Sequence, residues 1–236
     1  MLKRFVLVLF AVLSASLLAS CGEQLPIPGE EYILAAREEY ASLDSARVDV
    51  RNDDTGVSEQ IFIFKYDEKG LMSYSYIGSS EDTYLAQYNN GYEQFTNENG
   101  EVTMLSVSDP SFTAYSKDVP YPYATEGLIL YYKDAVIPEK SFVASNEDAI
   151  EVCHVYDVEK LRKVNNDENI TGFTVKYYFD GEGEFLFMQE ITDMLVDGEE
   201  KTYSYSIYIT ERNSVEKVVN VVDSSALEGI EDDDVI

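Results

Sequence analysis

Thr171–Thr192 reads TGFTVKYYFDGEGEFLFMQEIT, two apolar runs joined by Asp180-Gly181-Glu182-Gly183. From Thr171 to Phe179, Phe173, Val175, Tyr177 and Phe179 fall on one face, and Thr174, Lys176 and Tyr178 on the other. That period of two belongs to a strand with one buried and one wet face. The glycine-rich turn supplies the positive φ angles of a tight hairpin. Glu184 to Thr192 differs, because Phe185, Phe187 and Ile191 oppose Leu186 and Met188. Both of its faces are apolar, so both must be covered, one of them by something other than neighbouring strands.

Outward from this hairpin the same grammar repeats. Thr202 to Thr210 follows across Asp197-Gly198, with a last short strand expected at Val215 to Val221, and Ala149 to Val158 alternates upstream. Toward the N-terminus, alternation begins with Val48 and Val50 against Asp49 and Arg51 and continues through Ser58 to Tyr66, Leu71 to Ile77, Thr83 to Tyr88, Tyr92 to Thr96 and Val102 to Val107. Asp67-Glu68-Lys69-Gly70, Asn89-Asn90-Gly91 and Asn97-Glu98-Asn99-Gly100 separate these runs, which predicts an antiparallel meander. Ser58 to Tyr66 is again apolar on both faces, Phe62, Phe64 and Tyr66 against Ile61 and Ile63. Between the two halves, Pro110, Pro120 and Pro122 surround Tyr123 to Val136, where Leu128, Tyr131, Tyr132 and Ala135 recur at helical spacing; one or two short helices are predicted there. A first helix is predicted over Glu30 to Leu43. Ile33, Ala36, Tyr40 and Leu43 share one of its faces, and Glu30 and Glu31 sit near the positive end of its dipole.

The N-terminus carries an address. Lys3 and Arg4 precede an apolar run from Phe5 to Leu13 and a small-residue stretch closing at Leu18-Ala19-Ser20-Cys21, the layout of a secretory signal peptide. A membrane span needs about 20 apolar residues, and here Ser14, Ser16 and Ser20 interrupt the run too early. Leu18-Ala19-Ser20-Cys21 resembles the lipobox of bacterial lipoproteins. That resemblance implies a diacylglycerol thioether on Cys21, which becomes the mature N-terminus; an ordinary signal peptide with a cysteine near its cleavage site is the disfavoured alternative. The expected organisation is a signal peptide over 1–20, a tether over 21–29, a single domain over 30–222 and an acidic tail over 223–236. Everything after Cys21 is expected on the extracytoplasmic face of the cell membrane, held there by lipid.

Composition narrows the function. The chain has 17 basic and 45 acidic residues, and without Lys3 and Arg4 its formal charge is −30. Such a surface repels nucleic acid and anionic headgroups. With Cys21 committed to lipid, Cys153 has no partner for an intramolecular disulfide, and its neighbour His154 points to the opposite face of any strand that carries both. No Gly-x-Ser-x-Gly elbow, Gly-rich phosphate loop, His-Glu-x-x-His or paired-cysteine metal motif is present, and one histidine cannot furnish a zinc site with its own kind. No enzyme, cofactor or metal is therefore expected, a carboxylate-based hydrolase being the least disfavoured catalytic reading. Asp180-Gly181-Glu182-Gly183-Glu184 lacks the longer alternation of a calcium loop.

The order of elements, with Tyr88-Asn89-Asn90-Gly91-Tyr92, Tyr178-Phe179-Asp180-Gly181-Glu182-Gly183 and Tyr208-Ile209-Thr210-Glu211-Arg212-Asn213-Ser214-Val215, resembles the lipoprotein-localisation-factor superfamily, including the lipid-carrying lipoproteins of mycobacteria. The resemblance implies an α+β, mainly β fold: a strongly curved antiparallel sheet, or half-open barrel, with an N-terminal helix and short mid-chain helices covering its concave face. It also implies an apolar cavity for a lipid or other hydrophobic ligand. The expected lining is the face of Glu184 to Thr192 that carries Phe185 and Phe187, together with Leu128 and Tyr132. The alternative is a cell-surface interaction or envelope-sensing domain with a filled core; 19 tyrosines and no tryptophan suit either reading.

Overall fold

The computed structural model describes residues 25–79, 83–165 and 168–222; the signal peptide, Cys21 and the acidic tail lie outside them. The chain is mainly β. Helix α1 (Glu30–Ser42) precedes a first meander of β1 (Ser45–Asn52), β2 (Ser58–Tyr66), β3 (Met72–Ser79), β4 (Tyr84–Asn89), β5 (Glu93–Glu98) and β6 (Glu101–Ser106). A second run comprises β7 (Phe142–Ser145), β8 (Ala149–Val155), helix α2 (Val158–Asn165), β9 (Ile170–Asp180), β10 (Phe185–Val196) and β11 (Glu199–Thr210). The strands form one antiparallel sheet of order β6-β5-β4-β3-β2-β1-β11-β10-β9-β8-β7. Its two edges, β6 and β7, do not pair, so the barrel is half-open.

The hairpins follow from their turn residues. Asn99-Gly100 has φ of 51° and 94°, and Asp197-Gly198 has 56° and 83°. Two consecutive positive angles make a turn whose twist matches that of the strands it joins. In β10 and β9 the register shifts between Phe185 and Phe187. A bulge there puts Phe185 on the concave face and Phe187 on the convex one, so they do not share a face as simple alternation requires.

Helix α1 buries Ile33, Ala36 and Tyr40 against the concave face, with Leu43 buried just beyond its end. Its start is fixed by Gly29, whose φ is 67° and whose missing Cβ would lie 2.7–2.9 Å from the side chains of Val152 and Val143. Both the angle and the space demand glycine. Ile27 is already buried, and the Pro28 carbonyl accepts a hydrogen bond from His154 Nε2 at 2.7 Å.

The mid-chain segment does form short helices, as four single 3₁₀ turns, Pro122–Ala124, Glu126–Leu128, Lys133–Ala135 and Pro138–Lys140, where one or two were expected. Pro122 and Pro138 each start a turn but cannot donate into a preceding one. Val215 to Val221 is not a strand: β1 already pairs on both sides, with β2 and β11. The positive φ of Glu211 and Asn213 turns the chain out of the sheet. It then runs over the convex face, where Lys65 Nζ donates to the carbonyls of Val215 at 2.7 Å and Glu216 at 3.0 Å. Val221 and Val222 bury Ala86 there, among Ile77, Tyr84, Tyr88 and Phe95. Finally, the strand expected to reach Val158 stops at Val155, because Asp157 Oδ1 accepts the backbone N–H groups of Glu159 and Lys160 and starts α2.

Candidate functional site

Residues 107–141 connect the two opposite edges of the sheet and so must cross its open side. Most of this crossover is irregular, and its carbonyls find donors on side chains instead of in a ladder. Tyr40 donates to the Tyr123 carbonyl, Arg37 to that of Ile129 and Tyr177 to that of Leu130. Tyr123 in turn donates to Gln60 Oε1 at 2.8 Å. Burial pushes the Tyr156 hydroxyl up to about 12 and raises Tyr177 as well, so both stay protonated, 3.0 Å apart. At the other end, Glu30 accepts from Tyr131 at 2.6 Å and from Lys133 at 2.7 Å, and these contacts lower its pKa. Each such bond contributes about 0.5–1.5 kcal/mol. Together they hold the crossover over the sheet at a fixed height.

Helix α1 and the crossover cover only part of the concave face. Beyond them a groove opens in contiguous lobes. One, of about 520 Å³, is bounded by Val50, Leu128, Leu130, Met188 and Ile207, with Gln60 and Tyr123 at its side. A second, of about 450 Å³, is bounded by Tyr132, Ile170, Phe173, Met194, Tyr203 and Tyr205. Leu130, Glu190 and Tyr205 belong to both. A third, of about 300 Å³, meets the first at Glu59 and Gln60. These volumes lie at the lower end of, or within, the range of small-molecule sites. The lining is mixed rather than purely apolar. Glu190 is half-buried, and burial raises its pKa although the Thr192 hydroxyl donates to it at 3.2 Å.

Of the residues expected to line a cavity, Leu128 and Tyr132 border the groove, in different lobes. Phe185 and Phe187 do not. Phe185 is buried in the closed core beneath α1, 5.7 Å from the Phe179 ring and under the Arg212 guanidinium. Phe187 stands on the convex face in a ladder, its ring 4.4 Å from Tyr178 and 5.1 Å from Tyr208, with Arg51 capping Tyr208. Sequence reasoning missed Glu190. Its signal was a carboxylate on the same face as Met188, along a strand that is apolar on both sides.

Cys153 and His154 lie on opposite faces of β8. His154 is fully buried on the concave side, 5.6 Å from the Tyr177 ring, and burial lowers its pKa. Cys153 is buried on the other face, and burial raises its thiol pKa. A thiol kept protonated is a poor nucleophile. Cys153→Ser is expected to fold and to lose at most about 1–3 kcal/mol, the scale of placing a hydroxyl in an apolar site. Unchanged unfolding curves combined with complete loss of ligand uptake would reinstate a reactive thiol.

No family model matches the chain, and no curated protein matches it. Among solved structures it is similar to the crystal structure of LprF from Mycobacterium bovis, with a TM-score of 0.44 and 9% identity over 83% of this chain and 99% of that one. At that distance the functional reading rests on the residues of the groove.

Proposed function

We propose that this chain is a membrane-anchored extracytoplasmic lipoprotein that binds a lipid or another hydrophobic molecule, without catalysis, in the groove between the crossover and the concave face. The observation that carries the binding reading is that two lobes of about 520 and 450 Å³ adjoin at Leu130, Glu190 and Tyr205. A filled core would have brought the crossover down onto β10 and β11. Here the half-buried Val50 and Leu130 border open space, over a floor formed by the buried Met188 and Ile207. Apolar surface left facing a concave opening gains about 25 cal/mol per Å² when a ligand covers it. Anchoring follows from the lipobox alone.

The test is uptake of a neutral, environment-sensitive dye by the wild-type protein and two variants. Leu128→Ala removes a groove wall and should change the affinity several-fold. Phe187→Ala, on the convex face, should leave it unchanged. If the wild-type protein takes up no dye and no ligand accompanies it from its own host in native mass spectrometry, the interaction-domain reading stands instead.

A further inference from the structure

The second lobe of the groove has a composition that goes beyond general apolarity. Tyr132, Phe173, Tyr203 and Tyr205 contribute four aromatic rings to its walls, and Glu190 lies at its junction with the first lobe. Among the described residues no lysine, arginine or histidine lines any of the three lobes, whereas Glu59, Glu98 and Glu190 do. Among the described residues no ion pair reaches Glu190. A carboxylate drawn partly out of water, with one hydroxyl donor and no cation, gains more than a solvated one from a positive partner. Four aromatic rings line the same lobe, Tyr205 directly across the strand pair from Glu190, and aromatic rings attract alkylammonium groups through their quadrupole. An anionic head meets the reverse: a carboxylate at the junction, a second at Glu59 where the first and third lobes meet, and no counter-charge.

The geometry points to an amphiphile with a cationic ammonium head, bound with that head in the aromatic lobe against Glu190 and its apolar body in the first lobe along Val50 and Leu130. Anionic lipids are excluded. This rests on the binding reading above and names the ligand class of the same groove. The net negative charge of the whole chain attracts cations non-specifically, so the selective contribution is the part that depends on Glu190 and survives salt.

The experiment uses the full-length chain in nonionic maltoside micelles at about 0.5 M salt, where long-range attraction is screened. Three photo-crosslinking probes share one diazirine-bearing alkyl tail and carry a trimethylammonium, a hydroxyl or a carboxylate head. Labelling is mapped to peptides of β10 and β11. The ammonium probe is expected to label them about tenfold more than the carboxylate probe, the order of one charge-assisted contact. Glu190→Gln should reduce the ammonium probe's advantage to the level of the hydroxyl probe. Glu182→Gln, the same charge change on an exposed turn, should keep it. Equal labelling by the carboxylate probe, or an ammonium preference that survives Glu190→Gln, overturns the assignment while leaving ligand binding intact. No groove labelling by any of the three removes the binding reading and this one together.

Discussion

Phe62→Ala is expected to cost about 3–5 kcal/mol, a third or more of the stability of a typical domain. The residue is 1% exposed, and four rings surround it. Phe64 and Tyr74, at 5.6 and 5.8 Å, belong to the sheet, and Tyr121 and Tyr123, at 5.2 and 5.6 Å, belong to the crossover. Phe62 is thus a central ring where the crossover docks on the first meander, beside Tyr74, 4.4 Å from Tyr121, and Tyr76, 5.7 Å from Tyr123. Its removal leaves a cavity walled by stiff aromatic rings that cannot collapse into it, which places the cost near the upper part of the range. Denaturant unfolding should show a lower midpoint at unchanged slope. Phe62→Leu, which keeps most of the volume, should cost markedly less. A loss below about 1 kcal/mol for the alanine variant would mean that the crossover is held by its side-chain-to-carbonyl bonds and the Tyr74 and Tyr76 ring contacts without Phe62.

Cys21→Ser is expected to move the protein from the membrane fraction to the soluble fraction, or to leave it unprocessed with its signal peptide. Each methylene of an acyl chain contributes ~0.8 kcal/mol of membrane affinity, so two or three chains hold a protein that a single chain would release. A serine hydroxyl cannot form the thioether. Metabolic labelling with a fatty-acid analogue should mark the wild-type chain and not the variant. Labelling of the variant would show that the lipid sits elsewhere.

What the sequence made legible was local. The alternation in Thr171 to Phe179 and the Asn99-Gly100 and Asp197-Gly198 turns specify strands and hairpins from neighbouring residues, and the structure follows them. Helix α1 was legible for the same reason, through Ile33, Ala36, Tyr40 and Leu43. What failed depended on partners distant in the chain. Nothing within Phe185-Leu186-Phe187-Met188 reveals a bulge that exists only against β9, so the two phenylalanines were placed on one face. Helical spacing in Tyr123 to Val136 did mark short helices, but not that carbonyls along it are taken by Tyr177, Tyr40 and Arg37 from elsewhere in the fold. The groove itself is a space between elements, and Glu190 gains its character from the burial that three-dimensional folding imposes on it.

The pairing of β1 with β11 has a consequence for how the protein comes into being. All other pairings join strands adjacent in sequence order, but Val48 meets Ile209 and Val50 meets Ile207 in the middle of the sheet. A chain synthesised N-terminus first can build its first meander early, yet β1 then waits as an exposed edge until β11 has emerged. Loop closure over nearly the full domain makes that last step intrinsically slow. During the wait, the unpaired N–H and C=O groups of β1 are open to pairing with other chains. Synthesis cut short before β11 therefore yields not a smaller version of this protein but a half-sheet with an open, aggregation-prone edge at β1.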